Sequence, residues 1–177
     1  RMWNYEIAAS QRLLDGRLSW GVNVFYIDGD NIILTVPNPN GSGRLNMNSG
    51  RIRNAGVEAQ AAWRIAPAWS VDTNYSYLHM ENPVVASPEH KFYVGGAFHK
   101  GRWDVMTGVQ YVANLYMNTD SGTTEDFVLW NVRAQFRAAK WVSVWVRGDN
   151  LLAQRYCINE GYPMPRATVM GGVKFSF

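Results

Sequence analysis

Hydrophobic residues recur at every second position in block after block of the chain, and no sustained 3.6-residue stripe interrupts them. Between Trp69 and Met80 one face carries Trp69, Val71, Thr73, Tyr75 and Tyr77, and the other Ser70, Asp72, Asn74 and Ser76. Val57, Ala59, Ala61, Trp63 and Ile65 stand opposite Glu58, Gln60 and Arg64 in the same manner. The split repeats in Trp3–Leu13, Leu18–Asp28, Phe92–His99, Trp103–Val112, Phe127–Arg137, Trp141–Asp149 and Arg166–Phe177. It predicts an all-β, antiparallel up-and-down meander of about nine strands, each long enough to cross a bilayer. The connections alternate too. Asp15-Gly16, Ala66-Pro67-Ala68, Lys100-Gly101 and Ala139-Lys140 read as tight turns, whereas Pro37–Gly50, Glu81–Glu89, Ala113–Asp126 and Asn150–Pro165 read as long loops. Short turns on one rim and long loops on the other are the pattern of an outer-membrane β-barrel.

A soluble lipocalin-like barrel alternates in the same way, and here composition changes the picture. Only 18% of the residues are charged, 24 are aromatic (8 Trp, 9 Tyr, 7 Phe), and 13 Arg stand against 4 Lys. The aromatics are sorted by height. Trp20, Trp63, Trp69, Phe98, Trp103, Phe136 and Phe175 lie by the short turns, and Tyr26, Tyr75, Tyr77, Phe92, Tyr111 and Trp130 toward the long loops. Two belts separated by Val and Ala match the interfacial girdles of a membrane barrel. No apolar run is long enough for a transmembrane helix. The net charge of +3 is too small and scattered to indicate nucleic acid. Cys157 stands alone, so neither an internal disulfide nor a cysteine-based metal site is expected.

On this register Glu58, Arg64, Asp72, Arg133, Arg137, Arg147 and Asp149 belong to a lumen-facing set, and Trp141 and Trp145 are expected on that same face. The set reads either as a charged docking wall or as a solvated face. Catalysis finds little support. Glu58 with Asp72, and His99 with Asp104, supply minimal acid–base pairs without a nucleophile or oxyanion donor. His79 and His90 flank one long loop and read either as a rim pair or as ligands of a haem or metal chelate. Asp28-Gly29-Asp30-Asn31 begins like a calcium loop but lacks the downstream Glu, so a strand extension is expected. Asn40-Gly41-Ser42-Gly43-Arg44 fits no phosphate loop. Ligand contacts are expected from Tyr116 and Met117 in one loop and Tyr156, Ile158, Tyr162 and Met164 in another, with loop-to-loop packing as the alternative. No cofactor is expected.

Four segments occur in one order: Asn54-Ala55-Gly56-Val57-Glu58; Pro88-Glu89-His90-Lys91-Phe92; Asp149-Asn150-Leu151-Leu152 with Arg155-Tyr156; and Gly161-Tyr162-Pro163 with Pro165-Arg166. With them the chain resembles the C-terminal barrel portion of a TonB-dependent outer-membrane receptor. The final Gly172-Val173-Lys174-Phe175-Ser176-Phe177 resembles the family's assembly signal, with Gly172, Phe175 and Phe177 read by barrel-assembly machinery. The resemblance implies about 22 strands closed around a plug. Residues 1–177 would then supply roughly the last nine strands, with the plug domain absent. A chain opening on Arg1 is expected to be processed or truncated. Its first and last strands are expected to leave open edges that do not pair with each other. The implied function is outer-membrane transport of a siderophore, haem or cobalamin, energised through TonB. The implied partners are lipid, the missing strands and plug, TonB, barrel-assembly machinery and a surface lipoprotein. A small passive or structural membrane barrel is the alternative.

Overall fold

The computed structural model describes the backbone of residues 1–176 and the side chains among them other than those of residues 32, 34, 36, 37 and 47–49. Alternation is realised as strands β1 (Met2–Leu13), β2 (Leu18–Pro37), β3 (Arg44–Ala66), β4 (Trp69–Met80), β5 (Pro88–Lys100), β6 (Trp103–Asn118), β7 (Thr123–Ala139) and β8 (Val142–Asp149). A small hairpin of β9 (Cys157–Asn159) and β10 (Tyr162–Pro163) precedes the last strand, β11 (Thr168–Phe175). The large sheet is a nine-stranded antiparallel meander in the order β1-β2-β3-β4-β5-β6-β7-β8-β11. β1 and β11 are its two edges and do not pair, so the sheet is open.

Residues paired across an antiparallel ladder share a face, and the register therefore sorts every strand. On one face Tyr5 meets Tyr26, Val24 meets Val57, Val57 meets Tyr77, and Val94 meets Val109. On the other Glu6 meets Phe25, Glu58 meets Ser76, Asn74 meets Tyr93, and Arg133 meets Arg147. One hollow of about 360 Å³ is lined by Asp72 of β4, Tyr93 of β5, Arg133 of β7 and Arg147 of β8. A single hollow that touches so many successive strands requires the sheet to curl toward its polar face.

The apolar face carries both belts. By the short turns Trp69 packs on Phe98 with ring centroids 4.6 Å apart, and Trp103 on Phe136 at 4.7 Å. Toward the other rim Tyr5 stacks on Tyr26, and Tyr75 and Tyr77 flank His90. Along β6 the eight steps from Trp103 to Tyr111 span roughly 26 Å at about 3.3 Å each, comparable to an apolar membrane band. Ile7 is 80% exposed and Val169 70%. Among the described residues the buried hydrophobic cluster consists of Val112, Leu115 and Phe127.

Two features differ from the sequence reading. First, Pro37–Gly50 and Ala113–Asp126 are mostly strand, because β2 and β3 run on to a turn at residues 38–43 and β6 and β7 to one at residues 119–122. Beyond the membrane band apolar alternation is no longer required, so the ladder continues without its sequence signature. The pairing shifts between Asp30 and Ile32 and between Val112 and Leu115, with Asn31 at φ 58° and Asn114 at φ 52°. Asparagine tolerates this left-handed conformation, and such bulges re-aim a strand as it leaves the band. Second, Trp141 does not join Trp145 on the polar face. It precedes β8 beside the shift between Arg137 and Ala139 and stacks on Phe175 of the apolar face at 6.1 Å.

Inward rings are accommodated by missing side chains on the neighbouring strand. Phe25 lies across Gly56, Tyr93 across Gly108, and Trp145 across Gly172. A Cβ at Gly108 would come within 2.7 Å of the Tyr93 ring and one at Gly172 within 3.0 Å of Trp145.

Two predictions follow from register and packing. In a vesicle refolding assay of the full-length protein, Val94→Arg and Val109→Arg, cross-strand partners within the apolar band, should each cost about 2–4 kcal/mol, and Val144→Arg, opposite Phe136 of the short-turn belt, only about 0–1. Asn74→Arg, at the same height on the polar face, should be tolerated; equal penalties for Val94→Arg and Asn74→Arg would disprove the sidedness. Gly108→Ala should cost about 1–3 kcal/mol by overpacking, and a double-mutant cycle with Tyr93→Ala should recover most of that loss.

Candidate functional site

The rim of long connections brings together most of the side chains expected to meet a ligand. β6 rises above its bulge and carries Tyr116 and Met117 to the rim. Tyr116 donates its hydroxyl proton to Glu89 Oε1 at 3.2 Å, and Asn114 Nδ2 donates to Glu89 Oε2 at 2.8 Å. Burial, and the Glu89 carboxylate beside it, push the Tyr116 phenol above its ordinary pKa. The β4–β5 loop closes on the same strand through Ala86 N to Tyr116 O at 2.8 Å.

The β9–β10 hairpin approaches β6 from the other side. Glu160 N meets Met117 O at 3.5 Å, and Asn118 Nδ2 donates to Glu160 Oε2 at 2.5 Å. Tyr156 packs on Phe127 with centroids 4.2 Å apart, and with Ile158 it covers the Val112, Leu115 and Phe127 cluster. Burial raises the Tyr156 pKa. Met164 N donates to Tyr156 O at 2.9 Å, which holds β10 against β9. Tyr162, at the tip, is 74% exposed. Tyr156 and Ile158 thus pack on the β6–β7 cluster, Tyr116 turns to Glu89, and Met117 meets the hairpin through its carbonyl, while Tyr162 projects from the rim. Cys157, on β9, is a free thiol.

Asn150 entered the sequence reading only as part of the Asp149-Asn150-Leu151-Leu152 segment, without a role of its own. It is 5% exposed, its Oδ1 accepts from Gln154 N at 3.0 Å, and its Nδ2 donates to Gln154 O at 2.9 Å and Pro165 O at 3.1 Å. Its own N donates to Asn131 Oδ1 at 2.9 Å. One side chain therefore ties the start of the loop that carries the hairpin to its end. The available signal was an Asn at a strand terminus, where such side chains bond to local backbone.

The other candidates separate. Asp28 and Asp30 lie in β2, where Arg51 reaches both at 3.5 Å and Arg53 reaches Asp28 and Glu81 at 3.8 Å. The calcium-like segment is thus a strand with a cross-strand charge ladder. His90 shares a 2.8 Å hydrogen bond with Tyr75 and sits on the apolar face, as does His79 opposite Ala55. The two histidines do not converge on the polar side. Glu58 is opposite Ser76 and Asp72 opposite Ala62, four positions apart along the ladder, or roughly 13 Å. His99 Nδ1 does meet Asp104 Oδ2 at 3.0 Å, at the short-turn rim. Among the described residues no group of three or more His, Cys, Asp and Glu side chains could hold a metal ion.

Glu58, Arg64, Asp72, Arg133, Arg137, Arg147 and Asp149 all occupy the polar face. Arg147 pairs with Asp149 at 2.9 Å. Gly172 seats the Trp145 ring, Phe175 stands in the short-turn belt, and Phe177 lies outside the described residues.

The comparisons with known proteins agree with this geometry. No curated protein shows significant sequence similarity to the chain. Among solved structures it is similar to the copper transporter OprC, with a TM-score of 0.77 and 17% identity over 99% of this chain and 31% of that one. It is also similar to the closed form of the ferric-catecholate import receptor Fiu from E. coli K12, with a TM-score of 0.74 and 22% identity over 98% and 27%. The FrpB iron transporter from Neisseria meningitidis gives 0.75 and 16% identity over 99% and 31%. The chain thus spans about a third or less of the length of these proteins. The family model described as TonB dependent receptor-like, beta-barrel matches residues 1–151. The chain therefore belongs to the TonB-dependent receptor β-barrel family of bacterial outer-membrane proteins.

Proposed function

We propose that this chain is part of the barrel wall and rim loops of a receptor that imports a metal chelate across the outer membrane, energised through TonB. The observation that carries this reading is an open nine-stranded wall, belted on one face and charged on the other, within a family of much longer plugged barrels. The similar structures are named for copper transport, ferric-catecholate import and iron transport, which supports a metal chelate ahead of cobalamin. A small self-contained barrel is disfavoured, because two unpaired edges inside lipid would leave backbone polar groups unsatisfied. An enzyme is disfavoured by a polar face whose carboxylates are separated or already paired.

In this reading the upstream strands complete the barrel and the polar face surrounds a plug. Barrel-assembly machinery engages the last strand through Gly172, Phe175 and Phe177, and a surface lipoprotein is a further partner at the rim. Tyr116, Met117, Tyr156, Ile158, Tyr162 and Met164 contribute to chelate recognition, with Tyr162 as the most accessible contact.

Deletion of the parent gene should abolish growth on one of a panel of single iron or copper chelates, and deletion of TonB should do the same. Uptake that persists without TonB would refute the energised reading. Asn150→Ala should leave the barrel folded but loosen the hairpin, raising proteolysis between Leu151 and Pro165 and weakening uptake more than a Leu152→Ala control.

A further inference from the structure

The structure sorts the chain's connecting charge by height. At the short turns and their flanks stand Arg17, Lys100, Arg102 and Lys140 against Asp15, whereas the long connections hold Glu81, Asp120 and Glu160 against Arg155 and Arg166. The basic end is densest where the β5–β6 and β7–β8 turns lie side by side. Lys100 is paired with Trp103, and Trp103 with Phe136, so Lys100 belongs to the apolar face. Arg102 reaches across to the neighbouring hairpin, its Nη1 donating to Ala138 O at 3.5 Å. Lys140 is exposed in the next turn and precedes Trp141, which stacks on Phe175. Asp104 keeps its charge, but it lies opposite His99 and Gln135 on the polar face, with its Oδ2 3.0 Å from His99 Nδ1. A hollow of about 300 Å³ at the β5–β6 turn has Lys100, Arg102, Trp103, Arg137 and Asp104 in its lining. Even with Asp104 counted in full, cations outnumber the acid there.

We propose that this corner of the wall binds an anionic phospholipid of the periplasmic leaflet, its phosphate between Lys100, Arg102 and Lys140 and its acyl chains against Trp103 and Trp141. The inference goes beyond the import reading, since it needs only a wall in the outer membrane with its short turns on the periplasmic side. Tryptophan rings settle at the headgroup level of a bilayer, and Trp103, Trp141 and Phe175 are about half exposed on the lipid-facing side. Cations beside such rings keep their apolar stems on the wall while the charged ends reach the phosphates. The two hairpins are two ladder spacings apart, roughly 10 Å, and Arg102 spans that gap, so one phosphate comes within reach of cations from both turns. Ala138 O engages only Nη1 of Arg102, which leaves the rest of its planar fork for phosphate oxygens. Net charge then selects the lipid. Basic clusters at a membrane surface attract anionic headgroups, whereas a zwitterionic headgroup brings an ammonium group that the same cations repel. The long-loop end offers no such excess, because Arg51 and Arg53 stand within 3.5–3.8 Å of Asp28, Asp30 and Glu81. A free anion would have no use for the adjoining rings, so a lipid is the occupant that the whole corner fits.

The test uses the full-length receptor in nanodiscs of three parts phosphatidylethanolamine to one part phosphatidylglycerol. The discs are doped with a photoactivatable analogue of one lipid or the other, its reactive group at the glycerol end of an acyl chain, and labelled peptides are mapped by mass spectrometry. The phosphatidylglycerol analogue should label residues 98–104 and 136–142 about fivefold more than the phosphatidylethanolamine analogue. That preference should vanish in K100Q/R102Q/K140Q and survive in K100R/R102K/K140R, with heat-modifiable migration on gels reporting that each barrel has formed. Equal labelling of the wild-type turns by the two analogues overturns the proposal, and this comparison needs no variant to fold. A preference that persists in a formed K100Q/R102Q/K140Q barrel overturns it too. Loss of the preference on adding millimolar inorganic phosphate would assign the corner to a free anion and overturn it as well. Each of these failures leaves the import reading standing, because none concerns uptake.

Discussion

Everything in this structure depends on the hydrogen-bonded ladder, because in hydrocarbon no water is present to satisfy a backbone N–H or C=O. A soluble sheet of this size is held largely by what it buries. Here the buried hydrophobic cluster among the described residues is small and lies at one rim, and apolar side chains such as Ile7 and Val169 stand almost bare. Lipid takes the place of the core. Cohesion then comes from continuous pairing between neighbouring strands, and the side chains select the register by deciding which face of each strand tolerates hydrocarbon. A one-residue slip of β4 would turn Asp72 and Asn74 into lipid, so the alternation fixes the ladder even though few side chains are buried by it.

The same constraint explains where the ladder is modified. Within the band a bulky inward ring has to share its height with the neighbouring strand, and the structure meets this by placing glycine there, as with Tyr93 over Gly108 and Trp145 over Gly172. Above the band water satisfies the backbone, and irregularity costs little. Asn31 and Asn114 take left-handed conformations at this boundary, and the strands beyond them lean toward new neighbours. One consequence is the ion pair between Arg44, at the start of β3, and Asp120, in the β6–β7 turn, at 2.6 Å. It connects two hairpins that share no ladder.

The sequence carried the wall legibly, since period two and belts of Trp and Tyr are direct imprints of the lipid. Strand number, sidedness and the open edges could all be read from it. The upper halves of β2 and β3 could not, because polar residues such as Thr35 and Asn46 answer to water and do not sustain the alternation. Trp141 was misplaced because strict alternation was extended through a turn, where one extra residue exchanges the faces. The rim contacts were legible only as a composition of aromatic and soft apolar groups. That Tyr156 rests on Phe127, or that Asn150 holds both ends of its loop, depends on non-local geometry that no periodicity encodes.

Two features of the wall show what must surround it. β1 and β11 offer unpaired backbone along their whole lengths, and in a bilayer that is tolerable only when further strands continue the ladder on both sides. On the polar face Arg133 opposes Arg147, and hydrocarbon does not tolerate such charge. The first feature concerns hydrogen bonds in the plane of the sheet, and the second concerns charge perpendicular to it. Hydrogen bonds cannot be supplied from the lumen without a strand edge, and charged side chains cannot be hydrated from the bilayer. The two features therefore answer to different surroundings: the edges to the plane of the bilayer, where only further strands can pair with them, and the charged face to a polar lumen, where lipid is absent.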